Sequence, residues 1–327
     1  MISVVMPGYN VENTVEENLT TLLEQTKKFK ERVEVIFVDD ASKDSTVKVV
    51  KRFGIKVIKQ KHAGPAVARN RGMRAAKGRI VIFLDADCKI SSNWLKEIIK
   101  PFEDEKVAGV GVKYETWNKH SWVARFVGYE IGQRHEKMGR DVDFLASYST
   151  AFRKDILLKL GGFDTSFKIA SAEDNDLSYR IKHLGCKLIF LKNIFVYHKH
   201  PESLLNYYKK QYNHAKWRIF LYAKHLNRTV WRGDKYVGWG TFIQPLLFLL
   251  MPFTFLFLPR FFFLSLVANL AIHIGTAEFA WKNKDHAVAF LIPLLFLVRS
   301  FLWGLGAFVA IVKITSGTLK KVKYHQY

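Results

Sequence analysis

The 327-residue sequence predicts an α/β domain built on a doubly wound sheet, followed by an all-α transmembrane region. Three observations carry that reading. Short β-branched apolar runs alternate with amphipathic stretches through the first 115 residues, as strands covered by helices on both faces do. From Trp239 to Tyr327, 89 residues hold only 8 Lys or Arg and 2 Asp or Glu. Two acidic clusters stand directly after apolar runs, where an open α/β sheet gathers its ligands.

Taken in order, Ile2–Met6, Val33–Val38, Ile55–Ile58 and Ile80–Leu84 are short and apolar throughout, as buried parallel strands are. Between them Asn13–Phe29, Ser45–Phe53 and Pro65–Ala76 have helical spacing. Asn13 or Thr14, Asp44 or Ser45, and Pro65 suit their starts. Ser91–Phe102 reads as a helix, Val107–Glu115 as a strand and Trp122–Met138 as a helix. Asp143–Phe152, Lys187–Leu191 and Ile194–His198 read as strands around a helix at Glu173–Leu184. A basic and aromatic helix over Ser203–Leu226 leads on to the apolar region, with a boundary near Gly233–Gly240. The expected division is 1–200 for the α/β domain, 201–238 for an interface helix region, and 239–327 for two to four transmembrane helices with a basic tail.

Three apolar runs support the membrane region. Gly240–Leu258 has no charge over 19 residues, Phe261–Ala277 none over 17, and Ala287–Val312 only Arg299 in 26. A spanning helix needs about 20 apolar residues. The whole chain has 51 Lys and Arg against 29 Asp and Glu, a net charge of +22. A basic domain joined to membrane helices belongs beside anionic headgroups, on the cytoplasmic side of the cell membrane in a multi-pass arrangement. No nucleic-acid motif accompanies the charge, so nucleic acid is not the expected partner. Three spans would place Lys313, Lys320, Lys321 and Lys323 outside, against the positive-inside tendency. An even count of spans would restore it, for instance if Ala287–Val312 re-enters or folds as a hairpin around Pro293, Arg299 and Gly304. Arg299 is costly in lipid and is expected to face protein, water or a lipid phosphate.

With 49% hydrophobic residues and 26 Phe, a disordered or fibrous chain is excluded. The two cysteines, Cys88 and Cys186, form no CxxC. This rules out a disulfide framework or zinc knuckle and suits a reducing compartment. Met1–Pro7 has no basic n-region and does not read as a signal peptide.

The acidic clusters are Asp39-Asp40 and Asp85-Ala86-Asp87. Two carboxylates spaced by two on an extended segment point the same way. Such a pair suits Mn²⁺ or Mg²⁺, whose shell is completed by phosphate oxygens and water. A nucleotide diphosphate is a fitting ligand, because the metal neutralises its charge as it leaves. No GxxxxGK[ST] loop occurs, and Gly109-Val110-Gly111 lacks the third glycine and the turn of a dinucleotide fingerprint.

A series of motifs now carries a resemblance. Pro7-Gly8-Tyr9-Asn10, Val38-Asp39-Asp40-Ala41-Ser42, Ala68-Arg69-Asn70-Arg71-Gly72 and Leu84-Asp85-Ala86-Asp87 occur in this order. Phe152-Arg153-Lys154, Gly161-Gly162-Phe163-Asp164 and Glu173-Asp174-Asn175-Asp176 follow. Residues 1 to 200 thereby resemble glycosyltransferase family 2, inverting enzymes with the GT-A (Rossmann-like nucleotide-diphospho-sugar transferase) fold. The resemblance implies that Pro7, Tyr9, Asn10 and Asp40 hold the nucleobase and ribose, with Asp39 supporting that loop. It implies that Arg69 faces the nucleotide or its diphosphate, and that Asp85 and Asp87 address the ribose and the metal. Asp174 would be the catalytic base and Glu173 would orient acceptor or base. His198 resembles a histidine that completes the metal site in some members. Gly8 stands where Thr or Ser is usual, which is expected to loosen the loop.

Displacement at an anomeric carbon needs an activated oxygen on one face and a stabilised diphosphate on the other. The Glu173-Asp174 pair tilts the expected acceptor toward a sugar hydroxyl on a lipid-linked saccharide or other glycan, because a polyprenyl phosphate is already ionised. The donor would be UDP- or GDP-linked. A polyprenyl- or dolichyl-phosphate glycosyltransferase and a catalytically degenerate membrane interaction protein remain as alternatives. Processive members of the family carry Gln-x-x-Arg-Trp; Gln211 to Trp217 has the wrong spacing and Lys216 in place of Arg. An acceptor or lipid role for Gln211, Trp217 and Arg299 remains open.

Overall fold

The structure, a computed structural model, describes residues 1–167, 169, 171–225, 251 and 253–317. The chain divides into two compact units, interleaved in sequence. The first comprises Met1–Trp117 and Met138–Lys199; the second comprises Asn118–Lys137 and the chain from His200.

The first unit is a mixed α/β sheet. Its strands are β1 (Ile2–Gly8), β2 (Val33–Asp39), β3 (Lys56–Lys59), β4 (Ile80–Leu84), β5 (Cys88–Ile90), β6 (Val107–Thr116), β7 (Asp141–Val142), β8 (Ser149–Arg153) and β9 (Lys187–His198). They run in the order β3-β2-β1-β4-β8-β6-β9-β5, with β7 paired to β9. The first four are mutually parallel. They are linked by α1 (Glu12–Lys28), α2 (Thr46–Lys51) and α3 (Pro65–Ala75). The chain order reverses about β1, which brings the carboxyl ends of β1, β2 and β4 side by side, the place where such sheets bind ligands.

Alternation along these strands serves two apolar layers. Val4, Met6, Phe37, Ile82 and Leu84 pack on one face, whereas Val5, Ile36, Val38, Val81 and Phe83 pack on the other. A strand buried on both faces must read as a continuous apolar run, which is why β1, β2 and β4 were visible in the sequence. Three elements differ from expectation. The predicted Asp143–Phe152 strand is reduced to β8, because residues 143–148 lie outside the ladder. Lys187–Leu191 and Ile194–His198 are one strand, β9, irregular where its pairing shifts between Val112 and Lys113 of β6. The predicted Ser91–Phe102 helix shortens to α4 (Trp94–Ile99) with a 3₁₀ turn at Lys100–Glu103, behind the unforeseen edge strand β5.

A tight turn sets the position of helix α7 (Glu173–His183), which follows the short helix α6 (Lys154–Lys159). Asn70 on α3 grips Phe163 at two points: its Nδ2 donates to the Phe163 carbonyl at 2.7 Å, and its Oδ1 accepts the Phe163 N–H at 2.8 Å. Gly161 and Gly162 enter this turn with φ of +73° and +78°. From α7, buried Asp176 holds Arg180 at 2.8 Å, and Arg180 donates to the carbonyls of Leu160 and Gly162. Helix, turn and α3 are thereby tied together.

The second unit is helical: α5 (Trp122–Lys137), α8 (Leu204–Lys224), α9 (Pro259–Ala271), α10 (Ile274–Lys282) and α11 (His286–Thr315). Phe126, Tyr207, Ala280, Val288, Ile292 and Phe296 form its core. Pro259–Lys282, helical but for a turn at residues 272–273, and His286–Thr315 are long and apolar enough to cross a membrane. Their outer faces expose Phe261, Phe263, Leu264, Phe290, Leu294 and Phe308. A hairpin in Ala287–Val312, one of the ways to an even count, does not form: α11 continues for 30 residues through Pro293. One missing donor is tolerated there, as neighbouring structure in apolar helices can absorb it. Arg299 does face protein. Its Nη1 lies 2.6 Å from Glu130, which also accepts from Arg134 and from the Tyr207 hydroxyl at 2.9 Å. Burial alone would raise the Glu130 carboxyl; Arg134 and Arg299 outweigh it and hold the group below its usual range. The expected boundary at Gly233–Gly240 and most of the Gly240–Leu258 run fall outside the described residues.

The glycine turn gives a direct test. A methyl at Gly161 meets open space, whereas at Gly162 it would sit 2.2 Å from Asn70 Oδ1. Gly161→Ala should cost only the left-handed backbone penalty, about 1–2 kcal/mol. Gly162→Ala adds a clash and should cost roughly 3 kcal/mol or more. Urea unfolding of both variants checks the ordering.

Candidate active site

Three loops meet at the carboxyl ends of β1, β2 and β4. After β1, Asn10 takes a positive φ of 52°. Its N–H donates to Ser42 Oγ at 3.0 Å and its Oδ1 accepts the Lys43 N–H at 2.8 Å, so the first loop is stitched to the second. Asp39 is buried and accepts the Ser42 N–H at 3.1 Å. Asp40, also buried, accepts from Gln60 at 2.8 Å and from the N–H groups of Ala63 and Gly64 at 2.8 and 3.0 Å. Its carboxylate also lies 3.1 Å from His62 Nδ1. The exposed Tyr9 ring stacks on His62 with centroids 4.5 Å apart. Tyr9 is thus a surface platform rather than core packing.

The loop after β4 is shaped from behind by α1. Asn18 donates to the Asp85 carbonyl at 3.1 Å and Thr14 to the Ala86 carbonyl at 3.0 Å. The Asp85 carboxylate turns to Arg69, 2.8 Å away. Arg69 is 3% exposed, and its other terminal nitrogen binds Glu173 at 3.0 Å. Burial disfavours the Arg69 charge, but Asp85 and then Glu173 more than offset this and raise its pKa. Glu173 is equally buried and accepts the Ser171 N–H at 2.7 Å. Burial first, then neighbouring Asp174, push its carboxyl upward, while Arg69 pulls it back. Asp174 is half-buried in the first turn of α7, entered through Ala172 at φ 74°. Its Oδ1 accepts the Asn175 N–H at 2.8 Å.

The metal-ligating candidates lie at the other end of that loop. β5 pairs with β9 so that Cys88 faces His198. This brings His198 Nε2 to 3.9 Å from Asp87 Oδ1. The imidazole is walled by the rings of Tyr114 and Tyr148 at 5.2 and 6.1 Å. Asp87, Cys88 and His198 offer donor atoms all within 4.8 Å of one another.

A sequence profile described as glycosyl transferase family 2 matches residues 3–161. Those residues are a glycosyltransferase family 2 domain. Among relatives, the minor teichoic acid biosynthesis protein GgaA of Bacillus subtilis is 30% identical over 186 residues, 51% of this chain and 40% of that protein. The UDP-Glc:alpha-D-GlcNAc-diphosphoundecaprenol beta-1,3-glucosyltransferase WfgD of Escherichia coli is 33% identical over 131 residues, 39% of this chain and 51% of that protein. The chain spans two-fifths or less of the length of GgaA and of two further relatives, a chondroitin synthase and the glycosyltransferase GlyA. In fold it is similar to the mannosyltransferase PcManGT of Pyrobaculum calidifontis, solved with GDP-Man and Mn²⁺. That match has a TM-score of 0.60 at 20% identity, over 93% of this chain and 86% of that one. The first unit therefore has the GT-A-like α/β fold.

Within this family 2 domain and the chain that follows it, the structure gathers most of the candidate residues. Pro7, Tyr9 and Asn10 stand at the end of β1, as the motif order suggested. At Gly8 a Cβ would lie 2.3 Å from the Phe37 ring, so the missing side chain allows close packing there. Asp40 is engaged in holding residues 60–64. Asp85 is turned to Arg69, and the donor atoms near enough to one another to hold a metal are those of Asp87, Cys88 and His198. Gln211, Trp217 and Arg299 belong to the helical unit. Trp303 donates to Gln211 at 2.9 Å, Trp217 is buried against Phe220, and Arg299 binds Glu130. Sequence reasoning missed His62 and Cys88. His62 precedes the Gly64-Pro65 helix start, and Cys88 adjoins the acidic pair; proximity to a motif was the signal available for each.

The buried bridge makes a stability prediction. Arg69→Met strands Glu173 and Asp85 and should cost about 3–5 kcal/mol, the range for breaking one side of a buried ion pair. Arg69→Lys keeps the charge but not the fork and should fall between. Denaturant midpoints matching the parent for Arg69→Met would show that the bridge is not held in solution.

Proposed function

We propose that the chain is a metal-dependent inverting glycosyltransferase. It moves a sugar from a UDP- or GDP-linked donor to a hydroxyl of a lipid-linked saccharide at a membrane surface. One observation carries this reading: Arg69 joins the Asp85–Asp87 loop to the Glu173-Asp174 helix start, so a candidate donor site and a candidate base share one edge of the sheet.

The Tyr9 platform, with Pro7 and Asn10, suits a nucleobase and ribose, and Asp39 and Asp40 hold the loops that form it. Asp87 and His198 are the residues that would hold the metal. A carboxylate paired with an imidazole suits Mn²⁺ better than Mg²⁺, which prefers oxygen ligands. When bound, such an ion supplies neutralising charge to a leaving diphosphate. The remaining work falls to side chains. Asp174, at the positive end of a helix, stays suited to accept a proton from the acceptor hydroxyl. Glu173, pinned by Arg69, positions Asp174 and the acceptor. The name of WfgD, which acts on a diphosphoundecaprenol-linked sugar, supports a lipid-linked acceptor. The two apolar segments support membrane anchoring, for which we retain the cytoplasmic face.

Asp174→Asn should keep donor binding and lose transfer by about 10²- to 10⁴-fold, the usual cost of a lost general base. A near-parental transfer rate would instead indicate an acceptor that is already ionised, such as a polyprenyl phosphate. Asp87→Ala should abolish metal-dependent binding of the nucleotide diphosphate. Calorimetry giving equal affinity with and without EDTA would refute metal dependence.

A further inference from the structure

We propose that Cys88 converts the Asp87–His198 corner into a three-donor site for a soft divalent cation, Zn²⁺ or its spectroscopic substitute Co²⁺. The donor set differs from the one assigned above to Mn²⁺. The inference shares Asp87 and His198 with that reading but stands on Cys88.

Three facts converge on the thiol. Cys88 and His198 are direct partners across the antiparallel β5–β9 pair, so their side chains leave the same face of the sheet. Cys88 Sγ and His198 Nε2 each lie 3.9 Å from Asp87 Oδ1, and the three donor atoms fall within 4.8 Å of one another. On a tetrahedral Zn²⁺, bond lengths of about 2.0–2.3 Å place neighbouring donors roughly 3.3–3.6 Å apart. A fraction of an ångström would bring both 3.9 Å separations to that value, and the Cys88–His198 pair would close from within 4.8 Å. Asp85 is not among these clustered donors, and its Oδ1 is held by Arg69 at 2.8 Å.

Thiolate, imidazole and carboxylate with a fourth position open form a zinc-type donor set, and softness favours Zn²⁺ over Mn²⁺ or Mg²⁺ there. Binding requires the thiolate, so the Sγ proton is released to solvent as the metal–sulfur bond forms. A zinc ion so held occupies Asp87 and His198 and competes with the harder cation for them. Cys186 cannot substitute: it packs with the core on the opposite face of the sheet from Cys88.

The test titrates Co²⁺ into the metal-stripped full chain in detergent, without donor. A near-ultraviolet thiolate-to-cobalt band should appear, with the strong visible bands of four-coordinate Co²⁺, saturating at one equivalent and bleached by Zn²⁺. Both should vanish in Cys88→Ser and Cys88→Ala and persist in Cys186→Ser. Circular dichroism identifies variants that fold. The parent spectrum decides in any case: saturable Co²⁺ binding without the thiolate band overturns the proposal, as does a band lost only in Cys186→Ser. Mn²⁺ binding that persists while the cobalt–thiolate band is absent would overturn this inference and leave the metal-dependent reading standing.

Discussion

A guanidinium sealed between two carboxylates organises the first unit. Arg69 reaches Asp85 and Glu173 from the middle of α3, and Glu173 lies 104 residues further along the chain. Arg69 and Glu173 are both withdrawn from water, at a cost of several kcal/mol per ion that only good pairing recovers. The geometry supplies that pairing by placing one carboxylate, Glu173 and the partly exposed Asp85, on each terminal nitrogen of the fork. The start of α7 therefore cannot shift without disturbing the loop after β4. Catalytic groups gain from such fixation, because charges already oriented need no reorganisation during reaction. Burial, with Asp174 beside it, pushes the Glu173 carboxyl upward against the pull of Arg69.

What could be read from the sequence divides along a physical line. Strands β1, β2 and β4 were legible because burial on both faces demands an unbroken apolar run. The acidic loops were legible because they follow those runs directly. Pairings between distant segments were not. β5 exists because β9 lies beside it, and three residues after an acidic loop carry no local strand signal. Arg69 stood out in its motif, but nothing local announced that both its arms would be taken by acids. Asp40 shows the converse: its motif suggested a ligand contact, whereas its oxygens are met by the segment around His62, which only the folded chain brings near.

The helical unit repeats this lesson in an apolar setting. Arg299 was conspicuous as the single charge in 26 residues, yet its partner Glu130 sits in a helix with nothing unusual about it. In a core of Phe126, Ile292 and Phe296, van der Waals contact alone would allow helices to slide past one another. An ion pair with a hydroxyl donor, Tyr207, fixes their register.

The division of the chain into units does not follow its linear order. Helix α5 leaves the first unit after Trp117 and the chain returns to it at Met138 to form β7, β8 and β9. During synthesis α5 therefore emerges well before α8 and α11, whose apolar faces cover its own. A 16-residue helix without partners is marginal in water, so Phe126 and Val127 must wait uncovered while the sheet beside them in sequence is completed. A polypeptide cut at residue 200 would never leave that state. It would contain every strand of the sheet and still present an apolar helix to solvent, and its poor solubility would reflect the route of the chain rather than any defect in the sheet.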